Sequence, residues 1–371
     1  MTLQPAPRTR PAYALWAPEM ATPGGVQSYM WRLWEVLTSM QGAETTLPVG
    51  LSLLDSTAQL AAWPNPTQPR PVGANGSRLN FVRMALGACR AQCVVVGHLN
   101  QAPVALLAML LGRIDRYVVV LHGIEAWHQQ TFWRRLAMRY AHTVVATTHY
   151  TLQTCAAANS LPTSNFKVIP LCAEPNPAKP DPHFKLDGAF PILFVGRLAK
   201  SEQYKGLETL MQAVASLVGN HIPAKLHVVG DGDDRARLQA LGRTIGLSTE
   251  HIQFHGRVSD AVLQAAYASA QVFAMPSAKE GFGIVFLEAM RHGVVCIGGA
   301  HGGTLEVFQD QIEGLLVRYG DVDNLLHGLE SLLKNASLHH RLSTASQNRF
   351  ESDYIFPVFS NRWAQRLNRT S

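Results

Sequence analysis

Two carboxylates, Glu280 and Glu288, are the side chains whose type and spacing point most directly to chemistry in this 371-residue chain. The apolar run after Gly283 predicts a buried helix whose free N–H groups and positive dipole end face the loop that holds Glu280. A helix start of this kind binds anions, phosphate above all. Glu288 then lies inside the helix among apolar neighbours and needs a polar partner. The alternative is an ordinary helix whose acids reach solvent, and the spacing alone leaves both interpretations open.

Short apolar strands alternate with helices on either side of this run. In the second half of the chain, the pattern predicts strands at 191–195, 225–229, 252–254, 271–275 and 294–297, and helices at 207–218, 233–242, 259–268, 323–333 and 337–352. In the first half it predicts strands at 13–16, 93–96, 117–121, 143–146 and 167–170, helices at 26–40 and 102–111, and a surface loop at 61–77.

Continuous apolar strands between helices indicate parallel sheets that are covered on both faces. The predicted fold class is therefore α/β, with two tandem doubly wound, Rossmann-like domains that face each other across a cleft. A stretch with four prolines and no periodicity, from Leu171 to Asp187, is the expected linker. The predicted domains are 1–180 and 181–352, and 353–371 forms a last helix that packs back on the first domain.

Charge is distributed unevenly between the two halves. Residues 1–180 carry 14 Lys and Arg against 7 Asp and Glu, and the remainder carries 18 against 19, which together give the net charge of +6. A basic first domain favours an anionic partner such as phosphate groups or an anionic membrane surface. No nucleic-acid-binding module accompanies this charge, so nucleic acid is not an expected partner.

The remaining composition predicts a soluble, cytoplasmic protein. The five cysteines are scattered without metal-ligand spacing, which suits a reducing compartment. The polar, proline-rich start from Met1 to Arg10 does not resemble a signal peptide. The longest apolar segment, Ala102 to Leu111, is about half the ~20 residues that a membrane span needs, so it is predicted to be a buried helix.

The predicted strand ends of the second domain bring cations and glycines to one place. Arg197 follows the strand at 191–195, Lys205 opens the next helix, and glycine turns follow at 230–232 and 298–303. Two cations beside a helix start suit a diphosphate, and a neighbouring carboxylate suits the hydroxyls of a ribose or a sugar. The ordered set is far more specific than any of its members.

This set resembles the nucleotide-binding domain of the retaining glycosyltransferases of family 4, which have the GT-B fold. Glu280 and Glu288 match the E-x7-E signature, and Arg197 and Lys205 match the two cations of the family. Seven residues separate Arg197 from Lys205, whereas many relatives have five. The resemblance is strong over 191–317.

Two glycine-containing segments extend the resemblance into the first half. Residues 23–28 and 121–125 are similar to segments of polysaccharide and lipid glycosyltransferases, and Gly24 to Ser28 also resembles the glycine loop of bacterial phosphatidylinositol mannosyltransferases.

The resemblance implies a role for each matching residue. Arg197 and Lys205 hold the donor diphosphate, Glu280 contacts the donor sugar, Glu288 binds the ribose, and His122 reaches the sugar near its reacting carbon. The implied catalytic residues are Arg197, Lys205, His122 and Glu280. The implied donor-binding residues are Gly24, Gly25, Gly230, Val258, Glu280, Gly281, Phe282, Gly283, Ile284 and Glu288. His98, at the end of another strand, is the alternative to His122.

The implied reaction is a retaining hexosyl transfer from a UDP- or GDP-sugar, in which the leaving phosphate oxygen takes the acceptor proton on the same face of the sugar. Neither a metal nor another cofactor is expected. Asp231 and Asp233 have the spacing of a D-x-D metal motif, but their glycine turn favours a structural role. A glycosidase, which also uses two acids, is an alternative interpretation of Glu280 and Glu288. With one acid in a loop and the other in a helix eight residues later, the pair suits the two ends of a nucleotide sugar better.

The acceptor is indicated by an aromatic and arginine-rich segment, Trp127 to Tyr140, with Arg134, Arg135 and Arg139. This pattern is typical of a membrane-surface helix, and a core-facing aromatic helix with solvated arginines is the alternative. The first interpretation predicts a lipid-linked or saccharide acceptor in bacterial polysaccharide or glycolipid biosynthesis, at the inner face of the membrane. A sugar-nucleotide epimerase of similar shape and a non-catalytic, nucleotide-binding partner subunit are the rival hypotheses.

Overall fold

The structure is a computed structural model that describes residues 10–22, 24–40, 49–61, 69–87 and 89–368. The start of the chain, Pro23 of the glycine turn, and residues 62–68 of the predicted surface loop lie outside the described residues. The chain divides into two compact units, Met1–Leu171 with Phe359–Ser371, and Cys172–Val358.

The first unit contains a parallel sheet with the strand order β3-β2-β1-β4-β5-β6-β7. Its strands are β1 Tyr13–Ala17, β2 Val49–Ser52, β3 Val72–Gly73, β4 Cys93–Val96, β5 Arg116–Leu121, β6 Thr143–Ala146 and β7 Phe166–Val168. Its helices are α1 Gly25–Ser39, α2 Thr57–Ala61, α3 Arg78–Gly87, α4 Ala102–Leu110, α5 Phe132–Tyr140 and α6 His149–Asn159.

The second unit contains a parallel sheet with the strand order β10-β9-β8-β11-β12-β13. Its strands are β8 Pro191–Val195, β9 Lys225–Val229, β10 Ile252–Gly256, β11 Val272–Met275, β12 Val295–Gly299 and β13 Gly314–Val317. Its helices are α7 Leu207–Gly219, α8 Arg235–Thr244, α9 Asp260–Ser269, α10 Ile284–Arg291, α11 Thr304–Val307, α12 Val322–Lys334 and α13 Ala336–Asp353, and α14 Phe356–Asn368 follows them.

The strand orders confirm the predicted α/β class with two doubly wound, Rossmann-like sheets. In each sheet the order reverses between two paired strands, β1 and β4 in the first unit and β8 and β11 in the second. Ligands of open α/β sheets bind beyond the carboxyl ends of the strands at this reversal. The loops after β8 and β11 are therefore neighbours, and they carry Arg197 and Glu280.

The last helix, α14, belongs with the first unit. Phe359 and Trp363 contact the buried ring of Tyr29 in α1 edge-on, at centroid separations of 5.5 and 6.4 Å. Arg116 Nη2 donates a hydrogen bond to the carbonyl oxygen of Leu367 at 2.9 Å. The first unit is thus built from two separate stretches of the chain.

The segment predicted as a buried helix at 102–111 is a helix, but the prediction of its burial is wrong on one face. Ala105, Leu106 and Ala108 pack into the core beneath α4, whereas Leu110 and Leu111 are 72% and 56% exposed. The exposure of these two leucines could not be predicted from the sequence, because a helix that is apolar all round has no polar face to indicate which side meets solvent. Within the described residues, no helix has the length and apolar character needed to cross a bilayer.

The five cysteines are all buried free thiols. Burial raises the pKa of Cys89 to about 11 and the pKa of Cys155 to about 12. Both thiols are therefore protonated and unreactive near neutral pH.

A substitution at Gly230 provides a test of the backbone packing at the strand ends of the second unit. The φ of Gly230, +130°, is strained for other residues, and a Cβ atom there would lie 1.9 Å from the carbonyl oxygen of Gly196. We expect Gly230→Ala to lower the free energy of unfolding by about 3 kcal/mol or more, from backbone strain and from the clash. Chemical denaturation measures this loss.

Gly219, in the last turn of α7, provides the matched control because a Cβ atom there meets nothing within 4 Å. Gly219→Ala should leave the stability unchanged or raise it by up to about 1 kcal/mol. Equal stabilities for the two variants would contradict the backbone-to-backbone contact at Gly230.

Candidate functional site

The site in the second unit is assembled from three strand-end loops. Lys205 ends a 3₁₀ helix, Lys200–Lys205, after β8, and Glu280 lies in the loop after β11. The N–H of Ala278 donates to the carbonyl oxygen of Tyr204 at 2.7 Å, which ties these two loops together. The N–H of Gly303, after β12, donates to the carbonyl oxygen of Glu280 at 2.7 Å.

A glycine is required at position 303 for the loop after β12 to contact the loop that holds Glu280. A Cβ atom at this position would lie 2.2 Å from the carbonyl oxygen of Gly281. The glycine run that sequence analysis noted therefore serves to bring two backbones together beside Glu280.

Arg197 and Lys205 converge on one carboxylate, that of Glu202. The Lys205 Nζ lies 2.6 Å from Glu202 Oε2, and Arg197 Nη2 forms an ion pair with Glu202 Oε1. Glu202 is only 9% exposed. Although burial alone would raise it, the hydrogen bonds from Lys205 and Arg197 lower the pKa of Glu202. This carboxylate therefore stays ionised and holds both cations in place.

The long stretch between Arg197 and Lys205 is fixed at the start of α8. The N–H of Lys200 donates to Asp233 Oδ1 at 3.0 Å, and Gln203 Nε2 donates to Asp234 Oδ2 at 3.2 Å. Asp231 Oδ2 accepts from Arg235 Nη1 at 3.1 Å. Asp231 and Asp233 thus both hold local structure, and the described residues contain no cluster of three or more His, Cys, Asp and Glu side chains that could hold a metal.

Glu280 lies beside the same lysine in a less favourable environment for charge. Burial raises the pKa of Glu280, although the Lys205 ammonium and hydrogen bonds from the N–H groups of Gly281 and Phe282 partly oppose the rise. The Gly281 N–H lies 3.2 Å from Glu280 Oε1. The structure therefore brings together Arg197, Lys205 and Glu280, which were predicted as three of the four catalytic residues.

Helix α10 begins directly after this acid, with Gly283 as its N-cap at a left-handed φ of 92°. Backbone N–H groups at a helix start, here those of Ile284 and Val285, have no acceptor in a preceding turn and can face an anion. The N–H of Phe286 donates to the carbonyl oxygen of Gly283 at 3.0 Å. Phe282 is buried, with its ring edge-on to Tyr354 at 5.9 Å, so it holds the loop rather than reaching outward.

Glu288 finds the polar partner that its apolar neighbours require. Its Oε2 accepts a hydrogen bond from the Tyr267 hydroxyl at 2.8 Å. Tyr267 lies on α9, is fully buried, and has the His292 ring parallel to its own at 6.2 Å. Glu288 is half-buried between α9 and α10.

Gly230 and Val258 lie on the next loops along the sheet, after β9 and β10. The N–H of Gly230 donates to the carbonyl oxygen of Gly256 at 2.8 Å, which joins these two loops. Val258 is half-buried before α9. Both residues lie on the side of β8 away from Glu280, since β9 and β10 follow β8 in one direction along the sheet and β11 pairs with its other edge.

The candidates in the first unit form a group of their own. Gly24 and Gly25 are exposed at the start of α1. His122 follows β5, and its ring contacts Tyr29 of α1 edge-on at 5.1 Å. The loop before Gly24 is held by the buried carboxylate of Asp55, which accepts from the N–H of Met20 at 2.6 Å.

The His122 ring has a defined orientation. Its Nε2 lies 2.7 Å from the carbonyl oxygen of Gly97, and because a carbonyl only accepts, Nε2 carries a proton. In the neutral ring, Nδ1 is then the acceptor. The backbone N–H of His122 donates to Glu125 Oε1 at 2.6 Å, so Glu125 is a positioning residue rather than a solvated loop acid.

His98, the alternative to His122, has a structural role. Its Nδ1 accepts from the N–H of Asn100 at 3.1 Å and caps the short helix Leu99–Gln101. Burial lowers the pKa of His98, with a further contribution from His122. A neutral ring is what this cap requires.

Sequence reasoning missed Glu202, Tyr267 and Asp55. Glu202 has one local signal, its position three residues before Lys205, but the third member, Arg197, joins it only through the fold. Tyr267 and Asp55 gave no signal, because each meets its partner from a different element.

The two doubly wound sheets are those of the GT-B fold of two-domain glycosyltransferases. Residues 176–349 match the model of the family described as glycosyl transferases group 1. This domain belongs to that family, and the chain is a family-4-like glycosyltransferase.

One relative of known name covers most of the chain, and another covers less than half of it. It is 29% identical over 335 residues to the GDP-mannose-dependent alpha-(1-6)-phosphatidylinositol monomannoside mannosyltransferase of Mycobacterium tuberculosis, with 84% of this chain and 86% of the relative covered. It is 35% identical over 155 residues to the phosphatidyl-myo-inositol mannosyltransferase of Mycobacterium leprae, over 42% of this chain and 40% of the relative.

Solved structures share the fold at low identity. Anabaena Alr3699/HepE in complex with UDP superimposes with a TM-score of 0.79 at 17% identity, covering 96% of this chain and 100% of that one. Sucrose-phosphate synthase from Thermosynechococcus elongatus superimposes with a TM-score of 0.78 at 18% identity, covering 96% and 98%. These likenesses confirm the GT-B fold.

The role of Glu202 in holding the two cations is open to a direct test. Glu202→Gln keeps the size of the side chain but removes its charge, so Lys205 and Arg197 lose their charged acceptor. We expect a loss of about 1.5–3 kcal/mol in the free energy of unfolding, as for hydrogen bonds to a charged group. Chemical denaturation measures it.

Glu208 supplies the control, since it is paired with Arg237 at 2.6 Å but has a side chain that is 40% exposed. Glu208→Gln should cost no more than about 1 kcal/mol. If the two variants lose the same stability, Glu202 does not anchor the loop.

The raised pKa of Glu280 predicts a pH-dependent gain in stability on substitution. Because the folded state favours the protonated acid, its contribution is complete below the pKa of the unfolded chain and is lost as pH rises through the folded pKa. Glu280→Gln should therefore melt a few degrees above the parent at about pH 7.5, at roughly 2–4 °C per kcal/mol, with a smaller difference near pH 4. Calorimetry across this range measures the difference.

The exposed acid Glu250 is the control for this experiment. Glu250→Gln should show no comparable gain at either pH. A Glu280→Gln variant that melts below the parent at neutral pH would mean that the ionised carboxylate stabilises the fold.

Proposed function

We propose that this protein is a retaining, metal-independent hexosyltransferase that uses a UDP- or GDP-sugar as donor. The observation that carries the proposal is the convergence of Arg197 and Lys205 beside Glu280 and the start of α10, at the reversal of a doubly wound sheet. Two fixed cations and a helix N-terminus suit a diphosphate. The names of the relatives support a nucleotide-sugar donor, since one uses GDP-mannose and another was solved with UDP.

Lys205 and Arg197 serve the departing diphosphate in the proposed reaction. As the bond from the sugar anomeric carbon to the phosphate oxygen breaks, negative charge grows on the diphosphate, and groups already fixed in place stabilise it without reorganisation. The acceptor oxygen forms its bond on the same face, and its proton passes to the leaving phosphate oxygen. Two cations and the helix dipole supply the charge that a metal would otherwise supply.

The remaining candidates take the roles that the family resemblance implies. Glu280 accepts from hydroxyls of the donor sugar and Glu288 from those of the ribose. The N–H groups around Gly281 and Gly283 face the sugar and the phosphate, while Gly230 and Val258 lie toward the base. For Gly24, Gly25 and His122 of the first unit, the resemblance alone implies the roles of binding the diphosphate and the sugar.

We further propose a lipid-linked or saccharide acceptor in bacterial polysaccharide or glycolipid biosynthesis, with the enzyme at the cytoplasmic face of the membrane. The phosphatidylinositol mannosyltransferases among the relatives support a lipid acceptor. The basic charge of residues 1–180 supports an anionic surface as a partner.

A panel of nucleotide sugars tests the donor by thermal unfolding. A ligand that binds only the folded state adds about 2.7 kcal/mol when present at about 100 times its Kd, which corresponds to roughly 5–10 °C for a domain of this size. We expect one UDP- or GDP-sugar to give such a shift, unchanged by EDTA. No shift with any member would overturn the proposed donor class.

Two variants then separate binding from turnover. Glu288→Gln keeps an oxygen for Tyr267 but should weaken nucleotide binding by roughly tenfold. Lys205→Ala should lower the transfer rate by about 10²–10³, whereas Lys334→Ala, whose side chain is 59% exposed in a surface ion pair, should not. Transfer is followed as nucleotide release with the identified donor.

The rivals differ in what they do with donor. Epimerisation of the sugar nucleotide without acceptor would identify an epimerase, and donor binding without turnover on any acceptor would identify a partner subunit. A product whose anomeric configuration is opposite to that of the donor would overturn the retaining mechanism.

A further inference from the structure

Helices α4 and α5 expose an apolar face that the core does not use. Both helices pack on the same side of the first sheet, and Ala105, Ala108, Ala137 and Met138 are buried beneath them. Six large apolar side chains remain at the surface and define the α4–α5 face: Leu107, Leu110, Leu111, Phe132, Trp133 and Tyr140. These are half of the twelve large apolar side chains exposed among the described residues. The concentration is what marks an interaction surface.

The charge on this face has one sign. The α5 sequence FWRRLAMRY contains three arginines and no acid, and α4 has no charged residue. Arg134 donates to Gln130 Oε1 at 3.1 Å, and Arg139 is exposed in the last turn of α5. A partner for the α4–α5 face must therefore offer both an apolar region and negatively charged groups.

The structure also removes other tryptophans from this surface. Trp34 is fully buried in α1, and Arg32 on the same helix is only 5% exposed. Trp127 lies before α5 and donates its Nε1–H to Thr151 Oγ1 at 3.1 Å. Trp133, 63% exposed, is the tryptophan of the α4–α5 face.

We propose that the α4–α5 face docks on an anionic lipid bilayer. Leucine and aromatic side chains beside arginines are the composition of a surface that lies in the interface of a membrane, with its apolar groups at the acyl boundary and its cations at the headgroups. A protein partner would need acids for Arg135 and Arg139 and an apolar patch of the same outline, whereas an anionic bilayer supplies both everywhere. The inference extends the proposed function by assigning the membrane contact to a defined face, and it does not depend on transfer activity.

Cosedimentation with vesicles tests the face. The full chain should bind vesicles of phosphatidylcholine with about 30% phosphatidylglycerol more tightly than vesicles of phosphatidylcholine alone, and salt should weaken the binding. Leu110→Ser/Trp133→Ser should reduce the partition coefficient by at least about tenfold. Arg135→Gln/Arg139→Gln should reduce it by about fivefold for each arginine on the anionic vesicles only.

A matched pair outside the face controls for lost apolar surface. Ile312 and Tyr319 are 49% and 50% exposed in the second unit, and Ile312→Ser/Tyr319→Ser should bind vesicles like the parent. The thermal shift with nucleotide sugar is measured on every variant. A normal shift in a variant that no longer binds vesicles separates this inference from the proposed donor site.

Three results would overturn the inference. The parent chain could fail to bind anionic vesicles, although nucleotide sugar still shifts its melting. The α4–α5 variants could bind vesicles as well as the control pair does. Finally, sedimentation velocity could show a dimer of the parent that the Leu110→Ser/Trp133→Ser variant loses, without vesicle binding, which would make the face an interface between two copies.

Discussion

Backbones at the strand ends of the second unit touch without side chains between them, and the candidate site depends on this contact. A Cβ atom on Gly299 would lie 1.8 Å from the carbonyl oxygen of Ser277, and one on Gly230 would lie 1.9 Å from that of Gly196. The backbone of the loop that carries Arg197 is therefore in direct contact with the loop after β9, and the backbone of the loop that carries Glu280 is in direct contact with the end of β12. These two loops also touch each other, because a Cβ atom on Gly206 would lie 2.4 Å from the carbonyl oxygen of Pro276. Charged groups on adjacent loops come within reach of each other only because nothing else fills the gap.

Lys205 lies beside two carboxylates whose pKa values shift in opposite directions. The Lys205 ammonium forms an ion pair with Glu202, where burial would raise the pKa of the acid but the two cations lower it. The same ammonium lies near Glu280, where the effect of burial is larger and the pKa of the acid is raised. Under the proposed function, a bound diphosphate shares these cations with Glu202. Glu202 thus orients both cations before the ligand binds, so the diphosphate meets charges that are already fixed in place.

The sequence alone was enough to predict the strands that are buried on both faces. The runs at 93–96, 143–146 and 191–195 form strands at those residues, because short and mainly apolar stretches suit the interior of a parallel sheet. Strands β2, β3 and β13 were missed. They are four residues or fewer and include glycine, so neither length nor periodicity distinguishes them from loops.

The candidate site was partly predictable for a related reason. Arg197, Lys205 and Glu280 are placed by the ends of predicted strands, so the topology of a doubly wound sheet brings them together once the strands are known. Contacts that depend on how helices turn about their axes are not fixed in this way. The bond from Tyr267 to Glu288 and the exposure of Leu110 both depend on such rotation, and no spacing along the chain encodes it.

The packing of α14 has a consequence for how the protein is made. Residues 172–358 form a continuous unit, whereas the first unit needs Phe359 and Trp363 to cover Tyr29. During synthesis from the N-terminus, the sheet of the first unit emerges early but lacks this cover until the entire second unit has been translated. At about 5–20 residues per second, the delay lasts on the order of ten seconds or more. The first unit is therefore translated first but completed last, and the aromatic surface around Tyr29 stays exposed until α14 has been synthesised.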